Sequence, residues 1–269
     1  MSAAEAPART RAIGVGALAR RALTGTASFV VLALIWQGLA SVMPPFAFPS
    51  LPEVGSRTFE ILLSGTLFAN VLATFARIMA GMVGAFLLGV LLASFMVRFR
   101  TVDGFLSPIL GFFQGIPALS WVVFAIIWFR GSEFRIFFIM AITTLPAFSF
   151  QVLDALRGMP TDLVEMVQSF RPSRRKMFTA MIFPAIFPDI LTAWKVNIGN
   201  ASRVVVVAEL VGASDGIGYQ LMQQQQLFDM AGALAWTMQI VIFVILMQQI
   251  IALVEAGALR YRATSERSL

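Results

Sequence analysis

Long runs without a single Asp, Glu, Lys or Arg constrain this chain more than any other feature. Residues 22–52, 78–97, 104–129, 136–153 and 230–254 are such runs, and the first has its apolar centre at residues 28–43 and stops at Pro44-Pro45. A bilayer core about 30 Å thick needs roughly 20 mostly apolar residues per helical crossing. Residues 177–211 form one further apolar stretch, interrupted by Asp189, Lys195 and Arg203, and count as a sixth crossing. The chain is therefore expected to be an all-α integral membrane protein with six transmembrane helices. With 58% hydrophobic and 13% charged residues, an ordinary water-soluble domain is excluded. The absence of both Cys and His removes disulfides, thiol nucleophiles, zinc fingers and imidazole catalysis.

Six crossings put both termini on one side, and basic residues choose the side. Arg9, Arg11, Arg20, Arg21, Arg98, Arg100, Arg157, Arg171, Arg174, Arg175, Lys176, Arg260, Arg262 and Arg267 fall in one set of loops, and only Arg57, Arg130 and Arg135 in the other. Loops rich in Lys and Arg stay in the cytoplasm, so both termini are expected inside. Residues 1–26 then read as a basic leader, 27–258 as one membrane domain with a cytoplasmic loop at 154–176, and 259–269 as a cytoplasmic tail. The apolar run after the leader is too long, and its Pro-Pro exit too unlike a cleavage site, for a removed signal peptide.

The cytoplasmic loop carries a short helix. Pro160 stops the preceding helix, Asp162 is the expected N-cap paired with Glu165, and Pro172-Ser173 ends the segment. Leu163, Met166, Val167 and Phe170 recur at helical spacing, opposite Glu165, Gln168 and Ser169. From the residues alone, an interfacial helix lying on the membrane and a partner-docking helix are equally open.

Glu165-Met166-Val167-x-x-x-Arg171, followed by Met177-Phe178-x-x-x-Ile182-Phe183-Pro184, resembles the Glu-Ala-Ala loop of the membrane subunits of binding-protein-dependent ABC importers. Met166-Val167 replace the two alanines, and Arg171 stands where that family has glycine. Further stretches resemble the nitrate, sulfonate and taurine branch: Phe48-Pro49-Ser50-Leu51-Pro52-Glu53-Val54, Gly115-Ile116-Pro117-Ala118-Leu119, and residues 207–219 from Val207-Ala208-Glu209 to Gly218-Tyr219. The resemblance covers roughly residues 36–261. It implies a type I importer permease fold in the bacterial inner membrane, used as a homodimer with two ATP-binding subunits and an extracytoplasmic solute-binding protein. It also implies a coupling helix in which Asp162, Glu165, Met166, Ser169, Phe170 and Arg171 meet the ATPase. The chain has no G-x-x-x-x-G-K-[ST] loop. It is thus expected to be a transport subunit and not an enzyme, with no cofactor of its own and with ATP and Mg bound by the partner; no nucleic-acid role is expected.

Charges inside a membrane default to functional candidates. Lys195, Gly199, Ser202 and Arg203 fall on one stripe of the fifth crossing and form a candidate pathway lining for an anion, with Gly115 and Pro117 as a kink or a gate. The alternative is that Lys195 snorkels and Arg203 pairs within the bundle. Arg77 reads as an interfacial or packing residue opening the second crossing. Asn197 and Asn200 either bond neighbouring helices or line the pore. Glu209, Gly212, Asp215, Gly216 and Gly218 read as a flexible turn at the outer mouth, gating entry or meeting the binding protein. The leading expectation is import of a small anion such as nitrate, a sulfonate or taurine. The same branch includes riboflavin and pyrimidine-precursor permeases, and a secondary transporter is a weaker competitor.

Overall fold

The structure, a computed structural model, describes residues 15–258, with side chains over residues 23–257. The side chains of the basic leader and tail, on which part of the topology argument rests, lie outside the described residues. The elements are α1 (Val15–Val42), α2 (Leu51–Leu63), α3 (Thr66–Arg98), α4 (Arg100–Gly115), α5 (Ala118–Trp128), α6 (Ser132–Arg157), α7 (Thr161–Ser169), α8 (Arg174–Met177), a π-helical turn (Phe178–Ile182), α9 (Phe183–Gly212), α10 (Ile217–Gln226) and α11 (Met230–Ala258). No β-strand occurs among the described residues.

Five helical stretches are long and apolar enough to cross a membrane: Leu23–Val42, Thr66–Arg98, Ser132–Arg157, Arg174–Gly212 and Met230–Gly257. The third apolar run is not one straight crossing. It is α4 and α5 meeting at 95°, a broken span or a re-entrant loop; counted as one span, the pair brings the number to six. The physical cause is local: Pro117 has no N–H to continue the helix, and the residue before a proline is pushed to extended backbone, as Ile116 shows with ψ 124°. The second crossing is longer than its uncharged run, because α3 begins at Thr66 and carries Arg77 in its interior. The fifth continues through Asp189, Lys195 and Arg203 without a break.

Helices α3, α6 and α9 make most of the core, joined by Trp121, Val122 and Ala125 of α5 and Phe243 of α11. Ile78 and Met82 of α3 pack on Ile136, Ile139 and Met140 of α6 and on Ala201 and Val205 of α9. Small residues set the spacing of α3 against α6. Gly81 lies directly against Met140, and a Cβ at Gly89 would stand 3.1 Å from the Ser149 nitrogen. Helix α1 packs little against the rest: its Trp36 ring lies 4.7 Å from Phe48 and donates to the Pro49 carbonyl at 3.0 Å. The segment after it is a helix start, with Ser50 capping the Glu53 N–H at 3.4 Å and Pro52 in the first turn of α2. Arg57 ties α2 to Asp229 before α11 at 3.2 Å.

These connections define two ends. The tops of α3 and α6, the end of α9 and α10 share one, here the α10 end. The α3–α4 junction, the end of α6, α7 and α8 share the other, the α7 end, where Arg157 of α6 meets Asp103 of α4 at 2.6 Å.

Candidate functional site

At the α10 end, a cation deep in the bundle gathers three acids from distant parts of the chain. The Arg77 side chain is 7% exposed and the Glu209 side chain 0%. Arg77 Nη1 donates to Glu209 Oε1 at 2.8 Å and to the Asp215 carbonyl at 2.9 Å. Its Nη2 donates to Asp215 Oδ1 at 2.6 Å, and its Nε to Glu133 Oε2 at 3.0 Å, with Nη2 and Glu133 Oε1 closing a bidentate pair. One guanidinium thus joins α3, α6, α9 and the turn before α10. Bidentate geometry of this kind suits Arg and not Lys.

The same carboxylate organises the turn. Glu209 accepts from the Thr74 hydroxyl at 3.0 Å and from the Gly218 N–H at 2.9 Å. Thr74 Oγ1 in turn accepts from the Ile217 N–H at 2.9 Å, and Asn70 Oδ1 accepts from the Gly216 N–H at 2.8 Å. Gly216 has φ 104°, a conformation that disfavours any Cβ. A Cβ there would stand 2.5 Å from Glu209 Oε1, and one on Gly218 would stand 2.5 Å from the Val206 carbonyl oxygen. At Gly212 the Arg135 guanidinium occupies the space of a side chain. The reading of this segment as a flexible turn just past the crossing is corrected. Glu209 lies inside α9, and Glu209, Gly216 and Gly218 are buried, the first two bonded to Thr74 and Asn70 of α3 and Gly218 to Glu209; Val211, Ser214 and Asp215 stand open. Arg77 is likewise corrected, from a residue opening a crossing to the centre of a polar knot. Its partners lie 56, 132 and 138 positions away.

Of the six residues expected together along a pathway, four line two separate cavities, and Lys195 and Gly115 line neither. Gly199, Ser202 and Arg203 face a groove of about 470 Å³ between α9 and α11, beside Gln248 and Ile240. Ser202 is buried and donates to its own helix at Ile198 O, 2.7 Å. Lys195 lies 4.0 Å from Glu255 of α11, a loose pairing. Pro117 lines a different cavity of about 480 Å³ at the α4–α5 break, with Gln114, Thr143, Gln151, Asn197 and Asn200. Gly115 adjoins it in the chain. Here Asn197 Nδ2 donates to Gln151 Oε1 at 2.5 Å and to the Ala193 carbonyl at 2.9 Å. Gln114, Thr143 and Gln151 were not singled out from the sequence, although an amide inside an apolar run was a signal to follow.

At the α7 end the short helix runs Thr161–Ser169. Its N-cap is Pro160, no side chain caps it, and Asp162 sits in the first turn. The expected capping by Asp162 is therefore corrected: proline supplies the extended entry, and Asp162 faces the helix N-terminus as a charge. Leu163, Met166 and Phe170 are all exposed, Phe170 at 81%. Glu165 and Ser169 are exposed beside them. Arg171 has φ 47°, and its N–H closes the helix on Gln168 O at 2.9 Å, a left-handed C-terminal stop. The glycine of the resembled pattern thus stands at a position that demands left-handed backbone, and this chain meets that demand with arginine. Ser173 then caps α8 at the Lys176 N–H, 3.3 Å. The π-helical turn follows, in which Phe183 N–H reaches Phe178 O.

Residues 85–260 match the family described as binding-protein-dependent transport system inner membrane component. A putative ABC transporter permease protein of Methanocaldococcus jannaschii is 29% identical over 234 residues, covering 85% of each chain. The taurine transport system permease protein TauC of Escherichia coli is 24% identical over 211 residues, covering 76% of this chain and 77% of its own. The formylaminopyrimidine transport permease protein ThiX of Halalkalibacterium halodurans is 26% identical over 216 residues, covering 80% and 86%. Among solved structures, an inward-facing conformation of the MetNI methionine ABC transporter matches with a TM-score of 0.61 at 17% identity, covering 72% of this chain and 96% of that one. By sequence and by fold, the chain belongs to the binding-protein-dependent transport system inner membrane components, as the permease subunit of an ABC importer.

Proposed function

We propose that this permease imports a small solute carrying an oxyanion, working as a homodimer with two ATPase subunits and an extracytoplasmic binding protein, with both termini in the cytoplasm. The observation that carries the reading is α7. It is a nine-residue helix without a buried residue, held at one end of a membrane bundle, with Leu163, Met166 and Phe170 open. Such a face is incomplete without a partner. A cleft on an ATPase that binds ATP and Mg would receive Phe170 and Met166 as apolar anchors, while Asp162, Glu165, Ser169 and Arg171 contribute polar contacts. Closure of the ATPase dimer would move α7 and the helices joined to it, an alternating-access step.

The homodimer has its own support. On α9, Asp189, Thr192, Val196, Asn200 and Arg203 recur at helical spacing and are all exposed. Polar and charged groups are costly against lipid, so a second copy or a water-filled pathway would cover this face. The Arg77–Glu209 knot, with Gly212, Asp215, Gly216 and Gly218, would hold the outer mouth shut in this state. The taurine relative favours a sulfonate-type solute; the formylaminopyrimidine relative keeps an uncharged solute as the second reading.

The test is reconstitution. Because the chain lacks cysteine, Ser169→Cys and Ser214→Cys give clean reporters: only the first should label from the cytoplasmic side. Uptake into proteoliposomes should require both the ATPase and the binding protein. Uptake that persists without the ATPase would replace this reading with a secondary transporter.

A further inference from the structure

The break between α4 and α5 leaves a polar gap at mid-length of the bundle. Thr143 lies near the middle of α6 and Asn197 near the middle of α9, so at 1.5 Å per residue the cavity sits far from either end. Irregular backbone at such depth is tolerated where it lines a water-filled space. None of the residues lining this cavity is charged. Three of its side chains, Gln114, Gln151 and Asn200, are amides with unused N–H donors. The Asn197 bond to Gln151 Oε1 leaves Gln151 Nε2 free, and the Gln114 and Asn200 amides have no hydrogen-bond partner among the described residues. The N-terminus of α5 adds to them: Ala118 opens that helix and lines the same cavity, and its N–H has no acceptor within the helix.

Toward the α7 end the next cavity shares Gln151 and carries Asp154 and Asp189. An anion leaving the amide-lined gap in that direction therefore meets two carboxylates, which disfavour its lingering. Binding strong enough to enter and weak enough to leave is what conduction requires.

We infer that the cavity at the α4–α5 break is the selectivity stage of the pathway: it recognises a small oxyanion, such as nitrate or a sulfonate, through the neutral donors of Gln114, Gln151 and Asn200 together with the start of α5, and not through a cationic side chain. The inference rests on the permease reading and assigns its solute class. The cationic groove with Arg203, between α9 and α11, has no part in this step.

The experiment uses proteoliposomes holding the permease with its ATPase and binding protein, supplied in turn with labelled nitrate, taurine, methanesulfonate and an uncharged pyrimidine. Uptake and binding-protein-stimulated ATP hydrolysis are read together for the wild type, Gln114→Leu, Asn200→Leu and Gln114→Glu. Removing one donor to a charged oxygen should cut oxyanion uptake per ATP hydrolysed by about tenfold. The added carboxylate of Gln114→Glu should cut it further, and all three variants should still co-purify with the ATPase. Unchanged uptake per ATP in both leucine variants overturns the inference. A wild type that moves only the pyrimidine also overturns it, with the permease reading intact. A wild type with neither ATP-dependent uptake nor stimulated hydrolysis sinks the permease reading and the inference with it.

Discussion

The two ends of the bundle solve opposite problems. At the α10 end, Arg77 and Glu209 are buried and paired with each other, and Glu209, Thr74 and Asn70 accept the N–H groups of Gly218, Ile217 and Gly216. At the α7 end, three large apolar side chains stand open, no side chain caps the helix, and Arg171 holds left-handed backbone. One end is largely satisfied within the chain, whereas the other leaves an apolar face open. If α7 takes up the ATPase as proposed, the two ends would divide the work: one surface that a partner satisfies, and one remote tie on which the transmitted motion acts.

That contrast can be broken most forcefully at the knot. Glu209→Ala leaves Arg77 without its fully buried partner, and breaking a buried pair costs about 3–5 kcal/mol. The purified subunit should show a large fall in Tm in detergent; a Tm near wild type would mean the knot is not a tie. Gly218→Ala should cost about 2 kcal/mol by pushing a methyl group into the Val206 carbonyl and the Glu209 side chain. Thermal unfolding of the variant checks this, and an unchanged transition would show that the turn yields freely.

At the other end the same kind of truncation should act on assembly and not on the fold. Phe170→Ala should leave stability within about 0.5 kcal/mol of wild type and Tm nearly unchanged, as expected for an exposed site, yet weaken capture of the ATPase by about 2 kcal/mol or more if Phe170 is a docking anchor. Undiminished co-purification would remove it from that role. The smallest effect belongs to Arg171→Gly. Relief of left-handed strain should raise stability by about 0.5–1 kcal/mol, measured as a rise in Tm. A fall would show that the arginine side chain holds the loop by contacts of its own.

The membrane spans were legible because a bilayer demands long uncharged runs, a property local in sequence. The same rule misplaced Arg77: counting that stops at charges ends a helix where the polypeptide does not, and α3 runs on to Thr66. Helical periodicity assembled Lys195, Gly199, Ser202 and Arg203 onto neighbouring positions of α9, but periodicity names a face and not its neighbour. The neighbour is α11 for Gly199, Ser202 and Arg203, and the broken helix for Asn197 and Asn200. The short helix was found within two residues of its true start, since Pro160 supplies the extended entry that an Asp162 cap was expected to give.

By itself, then, the order of residues determined the class of solvent, the number of apolar spans and the presence of an amphipathic helix between two of them, since each depends on composition within a few turns. Tertiary structure alone decided that Arg77, Glu133, Glu209 and Asp215 meet, that two glycines make room for a carboxylate, and that the unused amides gather where α4 and α5 part. Those arrangements join residues many tens of positions apart, and what brings them together is packing geometry under the requirement that buried polar groups find partners.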